Sequence, residues 1–217
     1  MTKVHKANRL VFAKNLLEHP LKWTEILWSD EKWFTLNGPD FYHSYWHHIS
    51  DKQMTRKKMQ KGGGGIMAWG VFSGSGKKNI AITNRSFDSS VYIDILDQYL
   101  LQLIPTGKKR RSEVYFQQDN ASLHTSVLTK DFIQRHKIST LEWPSLSPDL
   151  NPIENVWGIL ANMTYGGNKQ YSSKQELEVA IKENWERIPS ETMLKLSQTF
   201  PRRLLAVVEN KGSSTPY

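Results

Sequence analysis

Ser147-Pro148-Asp149-Leu150-Asn151-Pro152-Ile153-Glu154-Asn155 is the stretch on which the reading of this chain turns. A proline-rich loop, 144 to 152, opens into a helix that carries Glu154 and Trp157. Asn151 suits the helix N-cap and Pro152 the first helical position, where no N–H is needed. Glu154 then falls third in the helix, where its carboxylate either reaches back to the cap or faces outward from a rigid support. Taken alone, capping is the commoner use. Thirty-four residues separate Glu154 from an earlier acid, Asp119, in Gln117-Gln118-Asp119-Asn120-Ala121. Asp119 closes a β-rich run, Glu113 to Asp119, that reads as a strand. Asp-Asn is also a common turn pair.

A third acid, Asp30, stands in Trp28-Ser29-Asp30-Glu31-Lys32. Residues 25 to 36 read as a strand closed by Asn37-Gly38-Pro39, with Ile26, Trp28 and Asp30 on one face. A charge directly after Ile-Leu-Trp is costly if buried without a partner. Each acid has an ordinary structural reading; the three together point to a divalent-cation site. Phosphodiester cleavage can use two such ions about 3.5–4 Å apart. Mg²⁺ and Mn²⁺ prefer hard oxygen donors, so the protein must supply carboxylates. Two carboxylates about 4 Å apart repel by about 4 kcal/mol at an effective dielectric near 20. Such a cluster is therefore expensive unless it binds something positive.

Other candidates carry less. His124, five residues after Asp119, is placed to contact substrate or to support the site, although a histidine at a helix start is more often structural. His47-His48 has no partners at zinc spacing. Gly62 to Gly65 lacks the G-x-x-x-x-G-K-[ST] pattern, and no Gly-x-Ser-x-Gly turn occurs. No nucleotide cofactor is expected.

The 217 residues fit one domain, with 38% hydrophobic residues and eight each of Trp, Tyr and Phe to build a core. Cysteine is absent, which excludes disulfides, thiolate metal sites and thiol catalysis. No apolar run approaches the roughly 20 residues of a membrane-spanning helix, so no membrane partner is expected. The net charge of +8 favours a polyanionic partner. Lys52, Arg56, Lys57, Lys58 and Lys61 fall within ten residues, and Lys108, Lys109, Arg110 and Arg111 are consecutive. A lone basic run is ordinarily a solvated loop. Two in an aromatic-rich chain point to nucleic acid, and the second also suits a nuclear-import signal.

Along the chain, residues 3 to 18 read as a cationic helix with Leu10, Ala13, Leu16 and Leu17 on one side. A second strand is expected at 41 to 46, then a mobile basic loop from 47 to 65. Ile66 to Phe72 reads as a strand buried on both faces, with 79 to 83 as its neighbour. Residues 90 to 104 repeat Tyr92, Ile95, Leu96, Tyr99, Leu100 and Leu103 at helical spacing. A helix over about 125–136 and a short strand from Ile138 to Trp143 follow. Ser173-Lys174-Gln175-Glu176 is a capping box ahead of a helix to about Ile188. Pro201 should kink or break the last helix and loosen its packing, and the tail from Gly212 should fray. This order suggests an α/β sandwich with a mixed sheet.

Together, Trp28 to Lys32, Met67-Ala68-Trp69-Gly70, Gln117 to Ala121 and Trp143 to Trp157 resemble the catalytic domain of the Tc/mariner superfamily of DNA transposases. The resemblance implies an α/β ribonuclease H-like fold, a five-stranded mixed sheet flanked by helices. It assigns Asp30, Asp119 and Glu154 as catalytic, metal-binding acids, with Glu rather than Asp third as in the nematode-type branch. It implies two Mg²⁺ or Mn²⁺ ions, DNA as partner (transposon ends and a TA target), a homodimer in the DNA complex, and a nuclear location. Relatives carry two helix-turn-helix modules that recognise transposon ends, and nothing before Val4 could form them. The expected layout is a helix and linker remnant over 1–22, a catalytic domain over 23–211 and a flexible tail over 212–217. Loose carry-over, with the charge runs, gives Arg56, Lys57, Lys58, Lys61, Lys108, Lys109, Arg110, Arg111 and His124 as DNA contacts. A retroviral-type integrase has similar acid spacing, but its His/Cys zinc module is absent. The remaining alternative is a catalytically silent DNA-binding remnant.

Overall fold

Among the described residues, five strands form one mixed sheet in the order β3-β2-β1-β4-β5. The computed structural model describes residues 1–38, 64–106 and 113–217. The expected strand at 41–46, nearly all of the 47–65 loop, and the basic residues Arg56, Lys57, Lys58, Lys61 and Lys108 to Arg111 lie outside the described residues.

The central strand β1 (Ile26–Thr35) pairs antiparallel with β2 (Gly65–Phe72), which pairs antiparallel with β3 (Lys78–Thr83). On its other side β1 runs parallel to β4 (Tyr115–Gln117), which runs parallel to β5 (Ser139–Thr140). Alternation along β1 gives the sheet two apolar faces. Ile26, Trp28 and Phe34 join one core, and Leu27 joins the other.

The second face is covered by α2 (Ser89–Ile95) and α3 (Val127–Arg135), through Tyr92, Ile95 and Phe132. The periodicity over 90–104 predicts one regular helix. The α-helix instead ends at Ile95, widens into π turns over Leu96–Leu100, and tightens into a 3₁₀ turn over Leu101–Leu103. The wider turn absorbs a residue while Ile95, Leu96 and Leu100 all stay buried.

The first face is covered by α4 (Ile153–Tyr165), α5 (Lys174–Arg187), α6 (Ser190–Gln198) and α7 (Phe200–Glu209). Ser173 caps α5 by accepting from the Glu176 N–H at 3.1 Å. Glu176 does not close the expected box onto Ser173; its carboxylate accepts from the backbone N–H and hydroxyl of Ser172. Pro201 lies in the first turn of α7, where a missing N–H costs nothing. Phe200, Leu204 and Val207 are fully buried, so the packing there is not loosened.

At the chain's start, α1 (Lys3–Glu18) packs against α7. In the tail expected to fray, Thr215 donates its N–H and hydroxyl to Asp149, at 2.8 and 2.9 Å. Among the described residues no helix is long and apolar enough to cross a membrane.

Candidate active site

The parallel strands β1 and β4 part company at Ser29 and Gln117. The Ser29 N–H donates to the Gln117 side-chain oxygen at 3.1 Å, and the Ser29 hydroxyl donates to the Gln117 carbonyl at 2.7 Å. Side chains thus replace the backbone ladder at its last rung. β4 therefore ends at Gln117, and Asp119 lies two residues beyond the strand rather than closing it. A crevice opens at the C-terminal end of the parallel pair, the usual ligand position in such sheets.

Asp30, Asp119 and Glu154 all line one cavity of about 400 Å³ in that crevice. Asp30 is half-buried on β1, and the Trp157 indole N–H of α4 donates to its Oδ2 at 3.2 Å. Burial pushes the Asp30 carboxyl up to about 8, with the Glu31 and Glu154 charges adding to the rise. Asp119 accepts at Oδ1 from the Ala121 N–H (2.8 Å) and from His124 Nδ1 (2.6 Å). The His124 bond holds its carboxyl below the usual 3.8.

Glu154 is exposed in the first turn of α4. The Asn151 N–H, which a capping carboxylate would engage, donates instead to the Pro148 carbonyl at 2.9 Å. Asn151 Oδ1 accepts from the Ile153 N–H at 3.4 Å, and its Nδ2 donates to the Ser29 carbonyl at 2.9 Å. Asn151 thereby ties the start of α4 to the residue preceding Asp30. Although the side chain reaches solvent, the crevice walls desolvate part of it and raise the Glu154 carboxyl, and the Lys32 charge opposes the rise.

His124 is buried and forms a bridge: its Nε2 lies 3.2 Å from Glu31 Oε1, opposite the bond to Asp119. Burial would lower its pKa, yet the two carboxylates lift it to about 9. A protonated ring donates from both nitrogens, which this geometry uses. Tyr92 of α2 packs against the ring at 4.5 Å. Glu31 was missed by the sequence reading; its only trace there is a second acid beside Asp30.

Three carboxylates around one crevice form a hard-oxygen donor set suited to Mg²⁺ or Mn²⁺. Among the described residues, no three His, Asp or Glu side chains converge tightly enough to enclose one ion as placed. The set therefore fits ions that each take one or two protein carboxylates and fill the rest of the shell from substrate and water, as Mg²⁺ commonly does. The cavity shares Asp119, Asn120, Trp143, Pro144 and Ser145 with a groove of about 1180 Å³ beside α1 and α3. The described parts of the site are thus open to a long substrate.

The family model for DDE superfamily endonucleases matches residues 25–178. The chain is 36% identical over 213 residues to the transposable element Tc3 transposase of Caenorhabditis elegans, covering 98% of this chain and 64% of that protein. It is 34% identical over 215 residues to the Tcb1 transposase of Caenorhabditis briggsae, covering 96% of this chain and 77% of the relative. The catalytic domain of Mos1 mariner transposase superposes with a TM-score of 0.74 at 18% identity, covering 99% of this chain and 97% of that one. A pre-cleavage Mos1 transpososome gives a TM-score of 0.81 at 18% identity, covering 99% and 65%. At that identity the likeness carries the fold, which is ribonuclease H-like. The chain spans about two thirds of the Tc3 transposase length. Motifs, sheet order and relatives agree: this chain belongs to the DDE superfamily of endonucleases, with Tc-type transposases as its relatives.

Proposed function

We propose that this chain is the metal-dependent catalytic domain of a DNA transposase. It hydrolyses phosphodiesters at transposon ends and joins the freed 3′ hydroxyl to target DNA, with TA as the target dinucleotide. The carrying observation is the arrival of Asp30 from a strand, Asp119 from a loop and Glu154 from a helix on one cavity. Support comes from Mos1 structures described with Mg and with Mn, and from paired-end complexes of Mos1 with its transposon end.

In this reading Asp30, Asp119 and Glu154 hold two divalent ions. Bound there, Mg²⁺ or Mn²⁺ activates the attacking oxygen and stabilises the leaving one. Trp157 holds the Asp30 carboxylate through its indole N–H. His124 and the Ala121 N–H fix Asp119 through one oxygen. In the first reaction water attacks phosphorus, the bond to the 3′ oxygen breaks, and a 3′ hydroxyl and a 5′ phosphate result. In the second that hydroxyl attacks a target phosphodiester and displaces a new 3′ hydroxyl. A homodimer on DNA, in the nucleus, is the proposed setting.

Supercoiled plasmid with Mn²⁺ tests the assignment. Wild-type protein is expected to nick it, and Asp119→Ala to lose nicking by more than about 100-fold, since even outer-shell changes cost 10–100-fold. Equal nicking by both would reject it. DNA binding without metal-dependent nicking by either would favour the silent remnant.

A further inference from the structure

Behind the loop that delivers Glu154 lies a buried polar network which the chemistry above does not use. Arg9 of α1 is fully buried. It grips Asp149 with both arms, Nη1 to Oδ1 at 2.8 Å and Nη2 to Oδ2 at 2.7 Å. Its remaining N–H groups donate to the carbonyls of Gly212 (3.0 Å), Ser213 (3.3 Å) and Leu146 (3.4 Å). Five donors meet five acceptors, the full capacity of a guanidinium. From α7, the equally buried Arg203 donates to the Asp149 carbonyl at 2.8 Å and to Asn155 Oδ1 at 2.5 Å.

The object of both grips is a segment with little structure of its own. Leu146 has a φ of +56°, a left-handed conformation that costs a β-carbon residue of order 1 kcal/mol. Beyond it comes a single 3₁₀ turn, Pro148–Leu150. Asn155 directly follows Glu154, and Asn151 is bonded to the strand residue before Asp30. A buried ion pair is weak evidence of stability, because apolar side chains of similar volume often serve as well. What a bidentate fork supplies is orientation.

We infer that Arg9 and Arg203 are positioning residues, which reach from the first and last helices to set the Leu146–Asn155 segment so that Glu154 faces Asp30 across the cavity. The inference rests on the proposed cation site. It extends the functional unit to α1 and to residues 212–215.

Calorimetric titration of the full chain with Mn²⁺, beside a thermal melt of each variant, tests this apart from activity. Glu154→Gln should weaken Mn²⁺ binding. Arg9→Met and Asn155→Ala should each weaken it in a folded protein, Arg9→Met by about 10–100-fold, the usual cost of losing support behind a metal ligand. Placed on Glu154→Gln, Arg9→Met should weaken binding no further, because its effect passes through Glu154. If both variants bind Mn²⁺ as wild type does, even while melting earlier, the network is scaffold only and the inference is overturned. Should Arg9→Met fail to fold, Asn155→Ala decides, since it leaves the Arg9–Asp149 pair intact. If Glu154→Gln itself binds Mn²⁺ unchanged, the cation-site reading fails instead.

Discussion

Gly70 faces Asp30 across the β1–β2 pair, and a Cβ there would stand 2.6 Å from the Trp157 ring. The missing side chain lets the indole lie close to the sheet, from where its N–H reaches Asp30. Gly70→Ala must push that ring away, and overpacking of this kind costs about 1–3 kcal/mol. Denaturant unfolding should register the loss, and tryptophan emission should shift as the indole moves. The three acids could be named from sequence because each sits inside a short local motif. Glu31 could not: its role depends on His124, 93 residues away. Arg9 was overlooked because α1 is rich in cations that belong in solvent. Its spacing of four from Ala13, on the apolar side of the helix, was the available signal.

Elements bounded by strong local chemistry, such as β1, β2 and α1, were legible almost to the residue. The short parallel strands were not. β4 stops at Gln117 because a serine and a glutamine from distant segments substitute for backbone rungs, which no local pattern reveals. β5 covers only Ser139–Thr140 of the expected Ile138–Trp143, although Leu141 still donates its N–H to Phe116 at 3.1 Å. Pro201 was rightly read as a helix breaker, and the break falls between Gln198 and Phe200. Its ring then starts α7 in a conformation a first turn accepts. Pro201→Ala should accordingly change stability by less than about 1 kcal/mol, chiefly through the unfolded chain. A larger loss in chemical denaturation would show that the ring itself carries packing.

Across the whole molecule, both ends of the chain converge on Asp149. Gly212 makes this possible: its φ is +81°, and a Cβ there would fall 2.1 Å from the Lys6 carbonyl oxygen of α1. Burial tends to raise the Asp149 carboxyl, but bonds from Arg9 and Thr215 outweigh it and hold the group below 3.8. A carboxyl lowered on folding stabilises the fold above its unfolded pKa, and that contribution is lost as pH falls through the folded value. Asp149→Asn should therefore cost about 3–5 kcal/mol at neutral pH, the usual cost of breaking a buried pair. In urea melts the gap to wild type should persist down to about pH 4 and close below that. An unchanged gap at lower pH would show that shape rather than charge matters there. The network escapes sequence reading because its members are 140 and 66 residues apart.

The same convergence has a consequence for how the protein is made. Translation delivers Asp30 and Asp119 early, but the clasp on Arg9 and Asp149 closes only once residues 212 to 215 have emerged. While residues 155 to 211 emerge from the ribosome, the loop that leads to Glu154 thus lacks the Gly212 and Ser213 carbonyls and the Thr215 donors that hold Arg9 and Asp149 in the folded chain.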